Sequence, residues 1–220
     1  MTDLRALAVT PELQDYVVAH GSWPVDRVLR DLQAETRALG SPAGMQVGPD
    51  QGQLLTFLTH LIGARNAVEV GTFTGYSSLC IARALPEDGQ LICCDISEKW
   101  TEIGRRAWKR AGLADRIDLR LGRGLDTLRE LPPNPHLDLV FLDADKGGYV
   151  SYWNELVPRV RPGGLLVADN VLWSGEIVNE GSDDTDTQAL RAFNDYVAGD
   201  DRVDVVILPA FDGLLLARRK

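Results

Sequence analysis

The chain has 220 residues, 45% of them hydrophobic, and carries 32 Asp and Glu against 23 Lys and Arg, for a net charge of −9. That length suits one domain with a full core and leaves no room for a second catalytic domain. The acidic balance argues against nucleic acid or an anionic membrane as partner. No apolar run approaches a membrane span, and Met1 to Arg5 lacks the apolar core of a signal peptide. Cys80, Cys93 and Cys94 are an odd number, fall inside predicted buried elements and match no metal spacing. They read as reduced packing residues of a cytoplasmic protein.

In chain order, helices come first. Leu4 to Ala19 and Val25 to Leu39 carry apolar residues at helical spacing, broken by Gly21, Pro24 and Gly40. Gly40 to Gly44 is a predicted loop. Pro49 to Ile62 is a third helix, with Leu54, Leu55, Leu58 and Leu61 expected on its packed side. Strands follow at Ala67–Val70, Leu91–Cys94, Ile117–Leu121, Leu139–Leu142 and Leu165–Ala168. Helices lie between them at Ser77–Ala84, Lys99–Ala111, Gly124–Glu130 and Tyr149–Val157. A helix near Thr187–Ala198 and strands at Val203–Leu208 and Leu214–Ala217 close the chain, with Asp212-Gly213 near the turn of that antiparallel pair. Strand and helix alternate, so right-handed crossovers make the early strands parallel, an α/β class. There is no internal repeat and no low-complexity tract.

The chemistry gathers where strands end. Leu139 to Leu142 runs into Asp143-Ala144-Asp145-Lys146, and Leu165 to Ala168 runs into Asp169-Asn170. Acids just past buried parallel strands sit at the sheet's carboxyl edge, where open α/β sheets bind ligands. Two Asp and an Asn offer hard oxygen donors suited to Mg²⁺, Mn²⁺ or Ca²⁺ rather than zinc. For a lone Asp, capping the next helix would be the plainer account. An earlier strand ends in Glu69-Val70-Gly71-Thr72-Phe73-Thr74-Gly75, where glycine allows close approach of backbone to a ligand. The next strand ends in Asp95, placed to accept from ribose hydroxyls. The dinucleotide pattern G-x-G-x-x-G is missing, and Glu69 beside the turn would repel a pyrophosphate while welcoming a cationic ligand such as S-adenosylmethionine.

These segments, with Met45-Gln46-Val47, Tyr76-Ser77, Val171-Leu172-Trp173-Ser174-Gly175 and Asp212 to Leu216, resemble the cation-dependent O-methyltransferases, the group of catechol and caffeoyl-CoA O-methyltransferases, in its short bacterial form. The resemblance runs from Met45 to the C-terminus. It implies a Rossmann-like methyltransferase fold: a mostly parallel seven-stranded sheet, an antiparallel final strand, an N-terminal helical segment over 1–44 and a cofactor- and metal-binding core over 45–220. It implies Asp143, Asp169 and Asn170 as ligands of a divalent cation, and Lys146 as the catalytic lysine that takes a substrate proton or stabilises the phenolate. Val47, Glu69, Gly71, Thr72, Ser77, Asp95, Gly124 and Asp145 would bind S-adenosylmethionine, with Glu69 and Asp145 facing the methionine amine and Asp95 the ribose. The substrate implied is a small phenol with vicinal hydroxyls.

One departure stands out: the chain reads Gly122-Arg123-Gly124-Leu125 where the family usually has another small residue at 124. Trp173 is expected to wall the substrate ring, and Ser174 stands where some relatives carry a substrate-touching asparagine. Val178 to Thr187, rich in acids, Gly and Ser, reads as a mobile loop whose charge would repel a coenzyme A tail. His20, His60 and His136 read as structural or solvated. The resemblance also implies a homodimer. Two other readings stay open: a methyltransferase without a catalytic metal, acting on another hydroxylated metabolite, and a nucleotide-binding oxidoreductase on a similar sheet. A non-enzymatic binding module would have little use for a lysine beside three metal ligands.

Overall fold

The computed structural model describes residues 7–220. Seven strands form one sheet in the order β3-β2-β1-β4-β5-β7-β6. They are β1 (Asn66–Val70), β2 (Gln90–Asp95), β3 (Ile117–Leu121), β4 (Leu137–Leu142), β5 (Val160–Ala168), β6 (Val203–Leu208) and β7 (Leu214–Arg219). Pairs among β1 to β5 are parallel; β7 runs antiparallel to β5 and β6. The expected sheet and its antiparallel last strand are therefore present.

Alternation along the strands divides the core in two. Ala67, Leu139, Phe141 and Val167 pack on one face beneath α2 (Arg27–Arg37), α3 (Pro49–Leu61), α4 (Tyr76–Ala84) and α5 (Glu98–Arg110). Val68, Val70, Val140, Leu142 and Leu166 pack on the other beneath α6 (Gly124–Glu130), α7 (Tyr149–Leu156) and α8 (Thr185–Ala198). There Phe193 meets Tyr149 and Trp153 edge to face, with centroids 5.2 and 5.6 Å apart. The three cysteines are buried and unpaired, as expected from their positions.

Strand β5 starts at Val160, five residues before the expected Leu165, and four other elements differ from the sequence reading. Of the expected first helix, residues 4–6 lie outside the described residues, and α1 (Pro11–His20) begins only at Pro11. Proline favours the first helical position, holds the preceding residue extended and gives Thr10 the capping role on Leu13 N. Ser41–Met45 is a short 3-10 turn instead of a loop. On α3 the buried face carries Gln51, Gly52, Leu55, Thr56, Leu58 and Thr59, and Leu61 is 65% exposed instead of packed. The acidic loop is shorter than expected: Asp184 caps α8 by accepting from Thr187 N and Oγ1. Arg191 ties it down further by donating to the carbonyls of Glu176, Ile177 and Asn179.

Candidate active site

Strand register builds the site. Val70 stands level with Cys94 and Leu142, and Leu142 with Ala168. The residues at the next level are Asp95, Gly71, Asp143 and Asp169, in a row along the carboxyl edge. Their backbone continues the ladder: Gly71 N donates to Cys94 O, Asp143 N to Val70 O and Asp169 N to Leu142 O, each at 2.9 Å. Neither Asp143 nor Asp169 caps a helix, so the plainer reading of these acids falls away.

The row opens into a cavity of about 710 Å³. One end is lined by Val47, Thr72, Ser77, Asp95, Gly124 and Asp145. Asp95 organises it: Oδ2 accepts from Thr72 N (2.9 Å) and Phe73 N (2.7 Å), and Oδ1 from Ser97 N (2.7 Å). Asp145 Oδ1 accepts from Tyr152 Oη at 2.6 Å. Gly71 also lines this end at φ +91°, but its main constraint is internal, because a Cβ there would come within 1.9 Å of the Asp143 carbonyl oxygen. The glycine serves loop-to-loop packing as much as ligand approach. Arg123 is exposed and outside the wall.

At the other end, Lys146 Nζ donates to Asn170 Oδ1 (2.6 Å), Tyr149 Oη (2.8 Å) and Asp143 Oδ1 (3.2 Å). Lys146 is 8% exposed and its ammonium lies 5.7 Å from the centre of the Trp173 ring. Tyr149 Oη in turn donates to Asp169 O at 3.1 Å, so the lysine is held by a buried phenol anchored to the same loop. Asn170 adopts φ +59°, a left-handed conformation that asparagine tolerates better than most residues. Asp169 Oδ1 accepts from Asn170 N (2.8 Å), and Oδ2 accepts from the Gln51 side chain (2.7 Å).

Burial raises the carboxyls of both Asp143 and Asp169, and for Asp169 the negative charge of Asp143 adds to it. The Lys146 ammonium pairs with Asp143, and Asp212 also lines the cavity. Such a set can hold a hard cation through two carboxylates and a carboxamide oxygen. Among the described residues no three His, Cys, Asp or Glu side chains form a group that could hold a metal ion. The ammonium of Lys146, between Asp143 and Asn170, shows that positive charge fits there.

Two residues expected at the site lie outside the cavity wall. Glu69 does not line the cavity. Strand alternation turns it with Ala67 towards α4, where Oε2 accepts from Ser78 Oγ; among the described residues Oε1 has no hydrogen-bond partner. It lies behind Thr72 and Ser77, which contact it and themselves form the wall. Burial pushes its carboxyl up to about 7. Asp95 and Asp145 in the wall suit a cationic ligand better than a pyrophosphate. Ser174 is exposed and outside the wall; its backbone N–H donates to the Asp212 carboxylate. Sequence reasoning missed Gln51, Tyr149, Asp186 and Asp212. The Asp-Gly turn before β7 was the only signal for any of them.

Comparison with known proteins now decides the class. The profile of the O-methyltransferase family matches residues 20–220. Caffeoyl-CoA O-methyltransferase 2 of Zea mays is 40% identical over 98% of this chain and 85% of its own. Tricin synthase 2 of Oryza sativa is 41% identical over 80% of this chain, which spans 63% of that enzyme. The chain belongs to the cation-dependent O-methyltransferase family. Solved members agree in fold. The Bacillus cereus O-methyltransferase in complex with SAH has a TM-score of 0.87 and 33% identity, over 95% of this chain and 97% of that one. The Streptomyces achromogenes O-methyltransferase TomG, involved in tomaymycin synthesis and solved with SAM, has a TM-score of 0.88 and 30% identity, over 95% and 96%. This family member is an S-adenosylmethionine-dependent O-methyltransferase, which removes the oxidoreductase and binding-module readings. No helix of the described residues is long and apolar enough to cross a membrane.

Proposed function

We propose that the protein methylates one hydroxyl of a small vicinal dihydroxy aromatic, such as a catechol or caffeate, with a divalent cation (Mg²⁺ or Mn²⁺) held by Asp143, Asp169 and Asn170. The observation that carries this is the pairing of two incompletely neutralised carboxylates, Asp169 buried and Asp143 half-buried, with the buried Lys146 in one cavity. When bound, S-adenosylmethionine supplies the methyl group and the cation supplies Lewis acidity that makes a phenol, ordinarily ionising near ~10, more acidic.

The chain's residues do the rest. Val47, Gly71, Thr72, Ser77, Asp95, Gly124 and Asp145 hold the donor, with Asp95 already oriented by three amides. Glu69 acts from behind the wall through Thr72 and Ser77. Trp173 presents its ring to the substrate and helps exclude water. Lys146 Nζ, steadied by Tyr149 Oη, takes the proton of the substrate hydroxyl when it stands as the neutral amine, or, as the ammonium, stabilises the phenolate. Tyr149 itself stays protonated, because burial and then Asp143 push its phenol well above the ordinary value. Holding donor and acceptor in one cavity supplies much of the remaining acceleration.

Asp186 and Asp212 line the cavity, and Glu176, Glu180 and Asp183 surround it in sequence. That charge disfavours the phosphates of a coenzyme A ester, so a free phenol or catechol is the preferred substrate here, whatever the maize relative's name. Exposed Phe57 and Leu61 on α3 and Val205 to Ile207 on the edge strand β6 support a homodimer. Buried reduced thiols support a cytoplasmic setting.

The test is methyl transfer to catechol, caffeate and caffeoyl-CoA with added Mg²⁺ or Mn²⁺, and again with EDTA. Product on a vicinal diol that vanishes with EDTA is the expected result. Product that survives EDTA would discard the metal and favour the second reading, in which Lys146 keeps its present contacts with Asp143 and Asn170 and works alone. No product on any diol, with the cofactor bound, would discard the substrate class.

A further inference from the structure

Gln51 lies in the first turn of α3 and is 3% exposed. Its Nε2 donates to Asp169 Oδ2 at 2.7 Å, a contact between residues 118 apart in sequence. Among the described residues it is the only side chain hydrogen-bonded to that carboxylate. The other oxygen, Oδ1, is held by Asn170 N at 2.8 Å. A carboxylate fixed at both oxygens keeps one orientation, yet each oxygen retains a lone pair for a cation. The amide is neutral, so it orients Asp169 without cancelling its charge; a lysine or arginine at 51 would do both.

The helix carrying Gln51 cannot slide freely. At Gly52 a Cβ would come within 2.8 Å of Cys80 Sγ and of the Tyr76 ring, so α3 sits directly on α4. Just upstream, Gln46 Nε2 donates to Thr36 Oγ1 (2.8 Å) and Thr74 Oγ1 (3.0 Å), tying the same segment to the glycine turn. Gln46, Val47, Gly48 and Gln51 all line the cavity. The segment is thus a third wall, fastened to the methyl-donor end by Gln46 and to the cation end by Gln51.

We propose that Gln51 is a positioning residue that orients Asp169 for the divalent cation. The inference rests on the metal reading above. Partners one step out from ligands typically change metal affinity by about 10–100-fold when lost.

The test reads Mn²⁺ binding directly, by the EPR signal of free Mn²⁺ titrated with ligand-free protein, for wild type and Gln51→Met. S-adenosylmethionine affinity by calorimetry and the melting temperature are measured alongside. The expected result is Mn²⁺ binding weakened by about 10-fold or more in Gln51→Met, with cofactor affinity within about twofold of wild type. If Mn²⁺ affinity is unchanged while the melting temperature drops, Gln51 is a packing residue and the proposal is overturned, with the metal reading intact. If wild type itself binds no Mn²⁺, the metal reading fails and this inference fails with it. Should Gln51→Met not fold, Gln51→Asn, whose amide is one methylene too short to reach, is read by the same outcomes.

Discussion

Two aspartates at opposite ends of strand β4, one within it and one just past it, show what a finished carboxylate and an unfinished one look like. Asp138, near the strand's start, accepts from Arg65 N and Asn66 N at 2.8 Å and from Arg161 Nε at 2.5 Å. Burial alone would raise it, but the Asn66 amide, the Arg161 guanidinium and the Arg65 amide hold it below the usual range. Asp143, just past the strand's end, has Lys146 as its side-chain partner, and burial raises it. At one edge the fold supplies donors until the charge is absorbed; at the other it withholds them. A carboxylate left short of donors in a buried place costs stability, and such costs collect where a ligand will complete the set.

The comparison breaks most visibly at the unfinished end. Asp143→Ala or Asp169→Ala should lower turnover roughly 10³-fold or more with the fold retained, and Asp143→Ala, which strands no backbone amide, should melt no lower than wild type. Methyl transfer followed by mass spectrometry, beside a thermal melt, checks both halves; wild-type turnover from either variant would refute the ligand assignment. Lys146→Ala should cut turnover about 10²–10⁴-fold with cofactor affinity nearly unchanged, and a large loss of cofactor binding would contradict its role.

At the finished end the effects reverse. Asp138→Ala strands two amides and a guanidinium, and urea unfolding should show a loss of about 3 kcal/mol, with turnover of the folded protein unaltered. Glu69 sharpens the contrast through pH. Its folded value of about 7 stands above the ordinary 4.5, so between those values the folded protein keeps a proton that the unfolded chain has lost. Stability should therefore fall as pH rises from 4.5 to about 7, and level off above. Glu69→Gln should flatten that slope and stabilise the ligand-free protein at pH 8 by on the order of 2–3 kcal/mol; a slope identical to wild type would rule out Glu69 as its source. The smallest effect belongs to the exposed Arg218–Asp204 pair, where Arg218→Ala should move stability by less than about 0.5 kcal/mol.

The middle of the sheet could be read from the sequence because β1 and β4 are buried on both faces and β1, β2, β4 and β5 end at Gly or Asp, so these hydrophobic runs stop where the chemistry starts. The row of Asp95, Gly71, Asp143 and Asp169 followed from those endings. The helices hid more. The buried face of α3 is largely small and polar, so a search for apolar spacing put Leu61 inside and left Gln51 unnoticed. Glu69 looked like a ligand contact because it precedes the glycine turn, but its direction depends on which face the strand presents to α4. Ser174 was carried from relatives, and the turn at Trp173 and Ser174, both at positive φ, swings it out of the cavity. Tyr149 and Asp186 join the site from helices, and only tertiary packing brings them there.

Gly71 sets a spacing that no side chain could. With its backbone pressed against the Asp143 carbonyl, the loop at the cofactor end and the loop at the cation end share one joint. The gap that methyl transfer must cross is then set by covalent geometry and peptide packing. A single methyl group, the same unit the enzyme moves, would serve as a wedge at this joint. Gly71→Ala would push the two loops apart without removing any side chain that holds donor or acceptor.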